Sequence, residues 1–265
     1  MTLTRRKTLG LALASVSVLA FPTMSSASAA RGLEIATERV RRDRGWRDTV
    51  AEVEMVLTNK RGQSAKRAMR VKTLEVAGDG DKSITIFDLP RDVKGTAFLS
   101  HSHAVAPDDQ WLFLPARSRV KRIASRNKSG PFMGSEFAFE DLGSFELKKF
   151  TYEYLGDEKL GKTKCHVVAQ VPVDKHSGYR LLKAWVDTAH YRPIKIEYYD
   201  RKKSLLKTLN FTGYKKYKGK FWRAGKAVMV NHQTGKSTTM QVKSMKFGVG
   251  LSAQEFTQAS LKQAR

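Results

Sequence analysis

A mainly β protein organised as one antiparallel sheet is what the sequence predicts, and three observations carry the prediction. From Asp48 onward apolar and polar residues alternate with period two. Turn signals such as Asn59-Lys60-Arg61-Gly62, Gly78-Asp79-Gly80-Asp81, Lys218-Gly219-Lys220 and Thr234-Gly235-Lys236 recur between these runs. No strand alternates with a long helix, which excludes the crossover units a parallel sheet needs. Alternation buries one face of each strand and wets the other. Such a sheet must bury its inward face on itself by curving, or under a helical cover.

At the N-terminus, Arg5, Arg6 and Lys7 precede the apolar segment from Leu9 to Phe21, and Ala27-Ser28-Ala29 offers small residues for cleavage. Residues 1–30 therefore read as a signal peptide cut near Ala29 or Ala30. Thr4 to Leu9 partly matches a twin-arginine signal, with Thr8 where a large apolar residue is usual, so the general and twin-arginine routes both stay open. The only cysteine is Cys165, so neither a lipid anchor nor an internal disulfide is expected. Removing 30 of 265 residues leaves about 235, which an all-β architecture accommodates as one domain over 31–265.

Leu33, Ala36 and Val40 then fall at helical spacing, closed by Gly45. Thr49, Ala51, Val53, Met55 and Leu57 occupy one face of the first strand, and Met69 and Val71 the inward face of the second, giving a long hairpin. The same grammar repeats to the end and predicts roughly ten or eleven strands. A short helix near Ser252 to Lys262 caps the sheet, with Ser252 as N-cap and Glu255 three residues on.

The stretch from Asp108 to Leu142 breaks this rhythm. Trp111 to Leu114 form an apolar run ended by Pro115, a basic strand follows, and Phe132, Met133, Phe137 and Phe139 crowd a loop from Arg126 to Gly143 that should be polar. Such a loop wants an apolar partner, from the protein or from a ligand. It is the candidate lid.

The formal charge of +24 becomes +21 once the three basic residues of the signal are removed. That field suits an anionic membrane surface or an acidic partner, and export argues against nucleic acid. Arg117, Arg119, Lys121 and Arg122 form the densest basic run and are candidates for docking to a membrane or partner; a solvated edge strand protected by its charges explains them equally well. Catalytic candidates are thin. His101-Ser102-His103 is a histidine pair without further ligands, and Ser102 has no nucleophile elbow. Glu136, Glu140 and Asp141 have an ordinary structural explanation beside a short helical turn. No phosphate-cradling glycine spacing occurs, and no cofactor or metal is expected.

At Phe87 to Leu99 (FDLPRDVKGTAFL), Asp108 to Ala124 (DDQWLFLPARSRVKRIA) and Ser129 to Leu142 (SGPFMGSEFAFEDL), the chain resembles the outer-membrane lipoprotein-sorting protein family, specifically the poorly characterised branch of the LolA-like superfamily. The resemblance implies a periplasmic protein with a strongly curved, unclosed barrel of about eleven strands under short lid helices. Between sheet and lid it implies an apolar cavity for acyl chains of a lipid or lipoprotein. Kin of this branch are often encoded beside lipid exporters, which makes an inner-membrane exporter an expected partner. Val53, Met55, Leu57, Met69, Val71, Phe98, Trp111 and Phe113 are the expected wall, and Phe132, Met133, Phe137 and Phe139 the lid. No basic residue is carried over as a release switch. Three functions follow in order: a non-enzymatic acyl-chain carrier; an envelope accessory protein binding a transporter or anionic polymer through its basic face; and, distantly, a hydrolase using Ser102.

Overall fold

The computed structural model describes residues 26–263, so the expected signal lies outside the described residues except at its end. Helix α1 (Ser26–Arg42) opens the described chain. Strands β1 (Asp48–Thr58), β2 (Ser64–Leu74), β3 (Lys82–Leu89), β4 (Ala97–His101), β5 (Asp109–Leu114), β6 (Arg119–Ile123), β7 (Phe150–Leu160), β8 (Thr163–Pro172), β9 (Tyr179–Asp187), β10 (Pro193–Asp200), β11 (Leu205–Thr212), β12 (Lys215–Tyr217), β13 (Phe221–Arg223), β14 (Lys226–Asn231) and β15 (Ser237–Phe247) follow, with α2 (Gln258–Gln263) at the end. Thirteen strands form one antiparallel sheet in the order β6-β5-β4-β3-β2-β1-β15-β14-β11-β10-β9-β8-β7, and β12 and β13 form a separate ribbon. β6 and β7 are the two edges and do not pair, so the sheet is not a closed barrel.

The expected count of about eleven is exceeded. β11 stops at Thr212, and the next residue, Gly213, takes a positive φ of 64° and accepts the N–H of Gly225. Beyond that bend the backbone leaves the main sheet, turns at Lys218-Gly219-Lys220 and returns as β13 before β14 rejoins the main sheet, which adds the ribbon strands to the count. The expected first hairpin forms, with a register running from Asp48 opposite Leu74 to Thr58 opposite Ser64. Its turn is closed by Asn59, whose side-chain oxygen accepts the N–H groups of Arg61 and Gln63.

Two apolar clusters lie on the inner face. One gathers Val53, Met55, Met69, Phe87, Phe98 and Leu112; the other gathers Ile35, Tyr152, Val168, Leu182, Ala184, Tyr198 and Met229. Leu142 and Met240 pack against both. α1 covers the second cluster, but its buried stripe is Gly32, Ile35 and Ala36 rather than the expected Leu33, Ala36 and Val40, and Leu33 is exposed. Gly32 sets this rotation, since a Cβ there would lie 2.9 Å from the backbone of Glu153 on β7.

The outer face carries a third cluster, Ile84, Ile86, Ala97 and Leu99, sealed by Phe256 and Leu261. The C-terminal cap is two short pieces, a 3-10 turn at Ala253–Phe256 and then α2. The expected pair does meet: the Ser252 N–H donates to Glu255 at 3.3 Å, and Glu255 also takes Lys72 at 2.6 Å. Among the described residues no helix is long and apolar enough to cross a membrane.

Candidate functional site

Alternation decides which side chains reach the inner face. On β1 it delivers Val53 and Met55 to the first cluster, with Leu57 half-buried beside them; on β2 it delivers Met69 and Val71, and on β4 Phe98. The loop between β6 and β7 lies over this wall as short 3-10 turns at Ser125–Asn127, Phe132–Gly134, Phe139–Leu142 and Leu147–Lys149. Phe132 is 1% exposed and stands 5.8 Å from Phe87, 5.2 Å from Phe98 and 5.7 Å from Phe139, ring centre to ring centre. Met133 packs at the rim of the same cluster. Phe137 enters the other cluster, against the α1 side of the sheet. The loop aromatics thus fill the space above both halves of the wall, with tilted and edge contacts that favour a well-packed nest.

Two expected wall residues lie elsewhere. Trp111 and Phe113 point to the outer face, where they pack against the third cluster, and His101 meets the Trp111 ring edge-on at 5.2 Å. Within β5 it is Leu112 and Leu114 that face the wall. The apolar run reads as uniformly buried because both faces of this strand are covered, and only the neighbours reveal which residue meets which cover.

The basic run is likewise divided. Arg119 and Lys121 stand opposite Leu114 and Leu112, which places them on the inner side of edge strand β6; Arg122 stands opposite Trp111 on the outer side and pairs with Asp109. Arg117 sits in the turn Pro115–Arg117. All four are exposed, but they do not share one face.

Polar anchors hold the loop down. The buried ammonium of Lys207 on β11 donates to Asp141 at 2.6 Å and to the Glu136 carbonyl at 2.9 Å. The Asp141 carboxylate also accepts the Ala138 N–H at 2.7 Å and the Tyr179 hydroxyl at 2.8 Å. Arg67 on β2 donates to the Met133 carbonyl, and Gln110 on β5 donates to the Phe139 carbonyl at 3.0 Å. Burial lowers the Arg67 pKa and raises that of Glu140, whose carboxylate accepts the Ser177 hydroxyl and the Gly178 N–H at 2.8 Å each.

Three of these anchors, Arg67, Gln110 and Lys207, are not among the candidates read from the sequence, yet they share one signal. Arg67 is in phase with Met69 and Val71, Gln110 with Leu112 and Leu114, and Lys207 with Leu209. Each is a polar residue on the inward phase of a strand. A buried polar group requires a partner, and here the loop supplies it.

The expected catalytic candidates have structural partners. His101 bonds the Phe256 carbonyl at 2.8 Å, His103 stands between Asp79 and Asp109 at 2.9 and 3.3 Å, and the Ser102 hydroxyl accepts the Ser144 N–H at 2.9 Å. Among the described residues no three acids, histidines or cysteines gather as a metal site. Beside the plugged wall, a cavity of about 670 Å³ opens between the C-terminal half of α1, the β12–β13 ribbon and Phe145.

An unclosed antiparallel sheet of this kind defines a LolA-like fold, and solved structures share it. The fold matches a LolA superfamily protein from Nitrosomonas europaea with a TM-score of 0.68 at 19% identity, over 86% of this chain and 98% of that one. A DUF1329 family protein from Desulfovibrio piger ATCC 29098 aligns at 26% identity and a TM-score of 0.84, over 88% and 99% of the two chains. A domain described as an outer membrane lipoprotein-sorting protein, from Vibrio parahaemolyticus, aligns at 57% identity and a TM-score of 0.87, again over 88% and 99%. A family model described only as "-like: Uncharacterized protein" matches residues 79–263. No match is found among curated proteins. The chain belongs to the outer-membrane lipoprotein-sorting protein family and has a LolA-like fold.

Proposed function

We propose that this chain is a non-enzymatic periplasmic carrier, a single domain over 31–265 that shields acyl chains of a lipid or lipoprotein during transfer between envelope membranes. One observation carries the proposal: the apolar inner face is covered by a segment of loop, whose Phe132 and Phe139 pack in one wall cluster and Phe137 in the other. A chain of ~16 methylenes costs on the order of 12 kcal/mol to expose to water at ~0.8 kcal/mol each, so a soluble carrier must offer a dry wall of that length. In this proposal the loop is a stand-in for cargo: it keeps the wall dry when empty and swings out when a chain enters. Met55, Met69 and Met240 on the wall suit cargo of varied shape, because the thioether side chain adapts. Native mass spectrometry of protein taken from its own periplasm tests this, together with uptake of a fluorescent acyl probe. Co-purifying lipid and saturable uptake are expected; repeated absence of both removes the carrier role.

A second role is favoured by the edge strand β6, whose exposed Arg119, Lys121 and Arg122 border the open side of the sheet. In that role the protein docks on an anionic membrane surface or an inner-membrane exporter. Docking through such charges falls steeply with salt, whereas acyl uptake does not.

A further inference from the structure

Gly32, Ile35, Ala36 and Arg39 lie on one stripe of α1, so the helix that packs Ile35 into the core also sends Arg39 inward. Arg39 is half-buried, its guanidinium stands 4.1 Å over the Phe145 ring, and burial lowers its pKa. Among the described residues it has no hydrogen-bond or ion-pair partner, and none of its nitrogens is sealed from the cavity. The other arginines around that cavity are engaged. Arg223 pairs with Asp43 at 2.5 Å, Arg192 with Asp187 at 2.6 Å, and Arg41 and Arg42 both with Glu38 at 2.6 Å. Of the acids lining the cavity, Asp43 favours the Arg39 charge, but none is hydrogen-bonded to it. Asp43 is held by Arg223, and burial pushes the Asp81 carboxyl up to about 7, so it is largely uncharged in mildly acidic conditions.

A half-buried guanidinium without a hydrogen-bonded anion keeps its donors free for a ligand. Aromatic walls beside it, Trp46, Phe145 and Trp222, suit a ligand that is polar at one end and apolar at the other. We propose that this cavity binds the oxyanion headgroup, phosphate or carboxylate, of an anionic amphiphile, with Arg39 as its two-pronged anchor. Phe145 connects the two regions, since it lines the cavity and packs on the cluster that holds Phe137. A headgroup at Arg39 would therefore leave its acyl chain beside the covered wall. Only this last placement rests on the carrier role; the anion site stands on the cavity alone.

Isothermal titration calorimetry of the full mature protein tests the site, using dihexanoyl phosphatidic acid below its micellar concentration, neutral dihexanoylglycerol and inorganic phosphate. Phosphatidic acid is expected to bind saturably and at least tenfold more tightly than dihexanoylglycerol. Arg39→Gln should weaken it at least tenfold and Arg39→Lys less, with circular dichroism melts showing that both variants fold. Inorganic phosphate binding with the same dependence on Arg39 would support the site and make free phosphate its source. Equal affinity for phosphatidic acid and dihexanoylglycerol in the unmodified protein overturns the proposal, even if Arg39→Gln fails to fold. So does affinity unchanged by Arg39→Gln. Uptake of a neutral acyl probe is scored separately: its loss with anion binding retained refutes the carrier and keeps the site.

Discussion

Lys207→Met asks whether the loop is a separable lid or merely core. The ammonium it removes is 4% exposed and bonds an Asp141 carboxylate that is 3% exposed. Deleting one partner of a buried pair leaves the other charge without compensation, at a cost of about 3–5 kcal/mol. Asp141 keeps the Ala138 N–H and the Tyr179 hydroxyl, which places the expectation at the lower end, about 3 kcal/mol. If the loop lifts by itself, that cost is spent on one local equilibrium, because opening returns Asp141 to water. Opening should then rise by about two orders of magnitude, at ~1.4 kcal/mol per factor of ten. Native-state hydrogen exchange reads this directly. The N–H groups of Phe132, Ser135, Phe139 and Asp141 bond carbonyls within the loop and report its opening, whereas β8 and β9 report the sheet. A selective acceleration of peptides over 128–143 is expected, and Asp141→Asn in the same chain should restore part of the protection. Equal acceleration of the loop and of β8 and β9 would falsify the separable lid and leave Phe132, Phe137 and Phe139 as ordinary core.

Three further expectations follow from single residues. Phe132→Ala should lower global stability by about 3–5 kcal/mol in urea titration, through the void it leaves beside Phe87 and Phe98; acyl-probe uptake should increase in the same variant, and unchanged or reduced uptake would detach the plug from ligand binding. Burial raises the Asp81 pKa from 3.8 to about 7, so the folded state holds an extra proton between those values and stability contributed there falls as pH rises from about 4 to about 7. Asp81→Asn should accordingly melt near the wild-type temperature at pH 4 and above it at pH 8, and coincident melts at both would refute the assignment. Cys165 is fully buried and its thiol is pushed up to about 11, so a maleimide at pH 7.5 should label it only after denaturant is added.

How far the sequence alone reaches is clearest in β1 and β2. Their alternation placed Val53, Met55, Met69 and Val71 on one wall, and the tertiary structure keeps them together. The same logic fails for Trp111 and Phe113 because β5 is covered on both faces, by the loop within and by Phe256 and Leu261 without. A continuous apolar run carries no phase to say which cover each side chain meets. Helix α1 shows the converse failure. Its hydrophobic spacing pointed to Leu33 and Val40, but the close approach permitted by Gly32 rotates the helix and brings Arg39 inward.

The loop from Arg126 to Gly143 divides along the same line. Its three phenylalanines and Met133 mark it as a segment seeking an apolar partner, since exposing four such side chains to water is unfavourable. What the sequence could not provide is the identity of that partner or the strength of the hold. Lys207, Arg67 and Gln110 lie 66, 66 and 29 positions from the loop atoms they grip. Side-chain period is a local property, legible over a few residues, and it determined the antiparallel sheet, its wet and dry faces and the greasy cover. Partnership across such separations depends on strand order and register, and only the folded sheet decided that three inward-phase polar residues meet the cover and that Arg39 has no hydrogen-bonded anion.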